Sequence, residues 1–99
     1  MDTKTQLNNT LKEAMKSGDE VRKRTVSMAL AAIKQVEIDR RVTLDEAAVL
    51  AILQQEIKPP RESLEEASKA GRSDLVAEAE AEIAVLQAFL PKGLNPQEL

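Results

Sequence analysis

The side chains able to do chemistry in this 99-residue chain are carboxylates, Lys, Arg and Ser, because the chain contains no Cys and no His. Without those two residue types there is no thiolate nucleophile, imidazole base, Ser-His-Asp triad or zinc-finger ligand set. Glu78 and Glu82 share a face one helical turn apart, but the clustered oxygen ligands of a calcium loop are missing around them. We therefore expect a solvated acidic face there, no metal, no cofactor and no catalysis by this chain alone.

Two clusters of basic side chains remain as candidates for binding. Arg grips phosphate as a fork, and Lys acts as a point charge. Residues 1–41 carry nine Lys and Arg against six Asp and Glu, a balance of +3, whereas residues 42–99 carry five against eleven, a balance of −6. A basic half can meet phosphate although the whole chain is acidic. The clusters are Lys58, Arg61, Lys69 and Arg72, and then Arg22, Lys23, Arg24, Lys34, Arg40 and Arg41.

Each cluster also has a purely structural explanation. Lys69 and Arg72 lie near a predicted helix C-terminus, where cations are favoured without any ligand. The run Arg22–Arg24 crowds the first turn of a predicted helix, which opposes the helix dipole. An anion or an acidic partner would compensate this run, and so would Asp19, Glu20 and solvent. The residues alone leave both explanations open.

Four helices in an all-α fold are predicted to position these side chains. The chain has 42% apolar residues, three Gly and four Pro, which is too hydrophobic for disorder and too poor in turn residues for a β-rich fold. The first helix starts at residues 2–3 and ends at Gly18, and the second covers residues 20–39 with Asp19 as its cap. Their apolar stripes are Leu7, Leu11, Ala14 and Met15, and then Val21, Thr25, Met28, Ala29, Ala32, Ile33 and Val36.

The third helix is predicted to be kinked at Pro59-Pro60. It starts at the capping box Thr43-x-x-Glu46 and opens with the apolar run 47–53, which we expect to be buried on several sides. A three-and-four spacing continues through both prolines, in Leu50, Leu53, Ile57, Pro60, Leu64 and Ala67. A loop would have little reason to preserve that phase. We favour one kinked helix that reaches Ala70, with two separate helices as the alternative.

The fourth helix is predicted to follow Gly71, with Ser73 as its cap and Pro91 as its stop. Its stripe is Val76, Ala79, Ile83, Leu86 and Leu90. The sequence Asn95-Pro96-Gln97-Glu98 then has the pattern of another helix start, although only one residue follows it. We expect a helical domain over residues 1–92, and in 93–99 a linker and the start of a C-terminal helical domain that is missing.

A resemblance to the YqeY family is carried by KPPRESLEEASKAGRSDL over residues 58–75, EAEI over 80–83 and FLPK over 89–92. Members of that family resemble the C-terminal tail of the B subunit of glutamine-dependent aminoacyl-tRNA amidotransferase, a carbon–nitrogen ligase whose chemistry lies in other domains and subunits. The resemblance implies a non-catalytic module that binds tRNA. The nucleic-acid contacts expected under this hypothesis are Lys58, Arg61, Lys69, Arg72, Arg22, Lys23 and Arg24.

A second hypothesis is a helical protein-interaction module without nucleic-acid binding. It would use the run 47–53 or the 76–90 stripe against a protein partner or the missing C-terminal domain, and core packing is the plainer explanation of both. The longest apolar run has seven residues, so we expect no membrane span. The polar start of the chain and its lack of cysteine favour a cytoplasmic location.

Overall fold

A computed structural model describes residues 2–90, in which four α-helices account for all the regular structure. The helices are α1 (Thr3–Ser17), α2 (Glu20–Arg40), α3 (Glu46–Ala70) and α4 (Ser73–Gln87). The predicted all-α, four-helix fold is confirmed. The most extensive contacts join α1 to α2 and α3 to α4. The molecule is therefore two helical hairpins packed against each other.

Aspartates cap the first three helices. The carboxylate of Asp2 accepts from the Thr5 backbone N–H, that of Asp19 from Arg22 and that of Asp45 from Ala48. The predicted capping box at Thr43 is therefore wrong, because Asp45 stands directly before α3 and takes the role. The Glu46 carboxylate instead accepts from the Thr3 backbone N–H, at 3.1 and 3.2 Å, and ties the start of α3 to the start of α1.

The ends of α4 also differ from the prediction. Ser73 is the first residue of α4 instead of its cap, and Arg72, in the cap position, makes no side-chain capping hydrogen bond. The helix ends at Gln87, before the predicted stop at Pro91. Its hydrogen bonds tighten there, since the Leu90 N–H donates to the Gln87 carbonyl only three residues back.

Left-handed residues end the first three helices. Gly18 and Gly71 have φ values of 76° and 70°, as predicted for glycine after a helix. Arg41 ends α2 with a φ of 55°, which the sequence did not indicate. A residue with a Cβ pays roughly 1–2 kcal/mol in that conformation.

Helix α3 continues through both prolines, so the alternative of two separate helices is wrong. Pro59 and Pro60 cannot donate to the carbonyl oxygens four residues earlier, those of Gln55 and Glu56. Packing maintains the helix across this gap, because Leu53, Ile57 and Ala67 on its apolar stripe are buried. The bend expected at the prolines stays a prediction.

The core draws on all four helices. Met15 and Met28, predicted in apolar stripes, are each 60% exposed because they lie at the edges of their stripes. In the run 47–53 only Val49 and Leu53 are buried. The main buried cluster is Leu7, Val26, Ala29, Ile33, Val49, Leu53, Ile57 and Leu86.

Several predictions fall on residues that the structure does not describe. They are the domain boundary after residue 92, the linker in 93–99 and the helix start at Asn95. Across residues 2–90, no helix is both long and apolar enough to cross a membrane.

Candidate nucleic-acid interface

The folding pattern turns the uneven charge along the sequence into two surfaces of opposite sign. Residues 2–41 form the hairpin of α1 and α2, with nine Lys and Arg against six Asp and Glu. Residues 42–90 contain the hairpin of α3 and α4, with four basic residues against ten acidic ones. We call these the basic hairpin and the acidic hairpin. The molecule is electrically polarised between them.

Arg24 joins the two hairpins. Its Nη2 lies 2.7 Å from Glu78 Oε1 and 2.9 Å from Glu82 Oε1, so α2 is tied to α4. The hydrogen bond with Glu82 and the neighbouring negative charges raise the pKa of Arg24 above its usual value. Glu78 and Glu82, expected to form a solvated acidic face, are thus also ion-pair partners of Arg24. No pattern in the sequence indicated this pairing, because the partners are more than fifty positions apart.

The other two basic residues at the start of α2 differ from each other. Arg22 Nε lies 3.7 Å from Asp19 Oδ2, a partner that the sequence suggested. Lys23 is exposed and has no ion pair within residues 2–90. Of the run 22–24, only Lys23 therefore keeps its charge uncompensated.

At the corner between α3 and α4, Arg72 is paired with Asp74. Its Nε and Nη2 lie 3.3 and 3.2 Å from the two carboxylate oxygens. The Arg72 hydrogen bond lowers the pKa of Asp74. Arg72 also lines a groove of about 460 Å³ between α3 and α4, together with Glu66, Glu78 and Glu82. Three carboxylates beside one guanidinium make this groove unfavourable for phosphate.

Lys58 and Lys69 lie on one side of α3, since eleven residues correspond to about three helical turns. Both are exposed, and neither makes an ion pair in the described part of the chain. Glu62 follows Lys58 by four residues and Glu65 precedes Lys69 by four, so carboxylates share this side of the helix. Arg61 is half-buried and lines a different groove, beside Glu65 and Glu80.

The seven predicted contact residues therefore do not form one patch. Four lie in the acidic hairpin or at its corner, and three lie at the start of α2. Their role in binding RNA stays a prediction. Residues 2–90 contain no group of three His, Cys, Asp or Glu side chains that could hold a metal ion.

The apolar faces of the protein-interaction hypothesis are largely used by the fold. Val49 and Leu53 of the first face, and Ala79 and Leu86 of the second, are buried in the core. That hypothesis stays a prediction.

Comparison with known proteins decides the family. The family model for YqeY, described as Yqey-like protein, matches residues 4–99. The chain belongs to the YqeY family. The predicted resemblance is confirmed over nearly the whole sequence.

Curated relatives of this YqeY-family chain are fungal proteins named "Altered inheritance of mitochondria protein 41, mitochondrial". The one from Lachancea thermotolerans is 37% identical over 91 residues, which cover 91% of this chain and 49% of the relative. The one from Eremothecium gossypii is 38% identical over 85 residues, covering 85% and 46%. The chain thus spans about half the length of these relatives.

The names of these relatives overturn the cytoplasmic location predicted from the sequence. They and a third relative, from Vanderwaltozyma polyspora, are all named as mitochondrial proteins. The prediction was wrong because its two observations were weak. The lack of cysteine excludes disulfides within this chain, but neither that lack nor a polar first segment distinguishes the cytosol from an organelle.

Proposed function

We propose that this YqeY-family chain is a non-catalytic module that binds tRNA through its basic hairpin. The observation that carries the proposal is the uncompensated positive charge on α1 and α2. Lys12, Lys16, Lys23, Lys34 and Arg41 are all exposed and lack ion pairs within the described range. Such charges attract a polyanion at long range and release its counterions on contact.

The family resemblance supports tRNA as the polyanion. YqeY proteins resemble the tail of an amidotransferase subunit that works on aminoacyl-tRNA, and the ligase chemistry of that enzyme lies elsewhere. The residue inventory agrees with this division, because the sequence offers no His or Cys for proton transfer or acyl transfer. Binding and presentation of tRNA need neither.

A gel-shift titration of the full chain against whole tRNA tests the proposal. We expect a shift at about 50 mM salt that weakens by at least tenfold at about 200 mM, because each phosphate contact releases counterions. Failure to shift at low salt would overturn the proposal. A shift that does not change with salt would also contradict it, since apolar docking would then be responsible.

The same titration with Arg61→Ala plus Arg72→Ala examines the corner between α3 and α4. We expect little loss of affinity, because Arg72 is paired with Asp74 and its groove is acidic. A loss of tenfold or more would show that tRNA binds the acidic hairpin, contrary to the proposal.

A further inference from the structure

We infer that one exposed face of α2, with Lys23 and Lys34 in the helix and Arg41 at its C-terminal end, holds the phosphate backbone of a base-paired segment of RNA. We call this face the α2 stripe. The inference rests on the proposed tRNA binding and specifies where on the basic hairpin the RNA lies, and which form of RNA it is.

Helical geometry aligns two of the three cations of the α2 stripe, Lys23 and Lys34. Lys34 follows Lys23 by eleven residues, which is about 20° of rotation and about 16 Å of rise. Arg41 follows the last residue of α2 directly, so it lies at the C-terminal end of the helix, seven residues after Lys34. Each of the three side chains is exposed. Two aligned cations therefore lie on one face of α2, and a third lies at the C-terminal end of the helix.

The charges of this row are not neutralised by the rest of the fold. None of its three cations makes an ion pair anywhere in residues 2–90. Glu37 is the nearest carboxylate of α2 to the middle of the row by helical position. It is already occupied, because it accepts from Lys4 Nζ at 2.6 Å and from the Leu44 backbone N–H at 2.9 Å. Glu20 precedes the row, at the N-terminal end of α2.

The exposed residues between Lys23 and Lys34 on this face are small, and the larger Leu30, which lies nearest to the row by helical position, is half-buried. Ser27 and Ala31 lie within about 80° of Lys23 around the helix axis, and both are exposed. Short side chains leave room for a sugar–phosphate backbone to approach α2 closely. This feature distinguishes the α2 stripe from the Lys58–Lys69 side of α3, where Glu62 and Glu65 stand between the cations.

Arg41 is the one left-handed helix end in residues 2–90 that is not glycine. The other two left-handed helix ends are glycines, Gly18 and Gly71, which adopt this backbone conformation without strain. A left-handed conformation costs a residue with a Cβ roughly 1–2 kcal/mol. An arginine at such a position therefore points to a functional role for its side chain. A guanidinium that donates to phosphate at the end of the row is such a use.

The form of the RNA follows from the lack of aromatic side chains. Single-stranded RNA is held largely by stacking of bases on aromatic rings. The chain has one aromatic residue, Phe89, which is half-buried beside a groove that includes Val21 and Val85. A rigid row of cations without a stacking platform suits a double helix, whose backbone presents phosphates at fixed positions.

The test compares two variants of the full chain with the same net charge. The first removes the α2 stripe, by Lys23→Gln, Lys34→Gln and Arg41→Gln. The control adds three negative charges at exposed positions of α3 and α4, by Ala47→Glu, Ser68→Glu and Ala77→Glu. The probes are whole tRNA, a base-paired RNA hairpin and a single-stranded oligouridine, each titrated at several salt concentrations. Circular dichroism checks that both variants keep their helices.

We expect the stripe variant to lose at least tenfold in affinity for tRNA and for the hairpin, and its salt slope to fall by up to about three. The control should lose less, because its charges lie on the opposite hairpin. Equal losses in the two variants would overturn the inference while leaving tRNA binding intact. If the wild-type chain binds none of the RNA probes, both proposals are overturned. Tighter binding to oligouridine than to the hairpin would refute a base-paired ligand.

Arg41→Gly is a second variant that separates RNA contact from folding. Glycine relieves the left-handed backbone, so we expect a higher thermal midpoint together with weaker RNA binding and a salt slope smaller by about one. A variant that is more stable and binds RNA as well as the wild type would remove Arg41 from the α2 stripe.

Discussion

At the scale of single residues, the ion pairs of Arg24 both join α2 to α4 and compensate a positive charge near the start of α2. Arg24 is the fifth residue of α2, near the N-terminal end of the helix, where a positive charge opposes the helix dipole. It also faces two carboxylates of α4, at 2.7 and 2.9 Å, which offset that cost. The pairing was not predictable from sequence, because it depends on which turn of α4 lies against α2.

Arg24→Gln is expected to lower the free energy of unfolding by about 1 kcal/mol or less, because its side chain is about half exposed and solvent screens the pair. Urea denaturation at low and high salt measures the loss, which should shrink as salt rises. Lys23→Gln is the control, since the adjacent Lys23 makes no ion pair in residues 2–90. Equal losses in the two variants would show that the Arg24 pair contributes nothing.

Glu37 makes stability depend on pH. The hydrogen bond from Lys4, then that from the Leu44 backbone, lowers the pKa of Glu37 from its ordinary value of 4.5. A carboxyl whose pKa is lower in the folded state stabilises the fold above its unfolded pKa, and this stabilisation is lost as pH falls through the folded value.

Glu37→Gln should therefore reduce the thermal midpoint at pH 7, and the difference from the wild type should vanish in acid below the folded pKa. Melting curves from pH 7 downward measure this. Glu13→Gln, at an exposed carboxylate of α1, should have little effect at any pH. A Glu37→Gln deficit that persists unchanged in acid would mean that the lost charge is not the cause.

At the scale of elements, the sequence predicted the helices well and their first residues less well. The alternating three-and-four spacing of apolar residues correctly predicted that α3 continues past Pro59 and Pro60, because the phase of an apolar stripe is a property of the whole helix. Capping was harder to predict. Thr43 and Asp45 both lie before α3, and Asp45 is the N-cap because it directly precedes the first helical residue.

Pro59→Ala tests what the prolines do to α3. Its ring is exposed, so the substitution removes little packing and restores a backbone donor in the helix interior. Greater freedom of the unfolded chain opposes part of this gain. We expect the free energy of unfolding to rise by about 1–3 kcal/mol in urea denaturation. Lys58→Ala changes no backbone donor and should leave stability nearly unchanged.

Destabilisation by Pro59→Ala would contradict this expectation. It would mean that the packing of α3 on its neighbours needs the local geometry that the proline imposes.

At the scale of the whole molecule, the pairing of helices decides where charge is free. Counting residues predicted a basic first half and an acidic second half, and the two hairpins keep those halves apart in space. Counting could not predict which cations remain available. Arg24 and Arg72 are used within the fold, whereas Lys23 and Lys34 are not. The proposed site is on α2, because no carboxylate lies between Lys23 and Lys34, whereas Glu62 and Glu65 lie between the exposed Lys58 and Lys69.

The most direct test of RNA binding on the basic hairpin is to map the contact by NMR, from backbone amide shifts of the ¹⁵N-labelled full chain as tRNA is added at low salt. The account predicts that the largest changes cluster on the α2 stripe, at Lys23, Ser27, Ala31 and Lys34, and that they reverse as salt is raised. Changes that cluster between Lys58 and Arg72, with α2 unaffected, would contradict it.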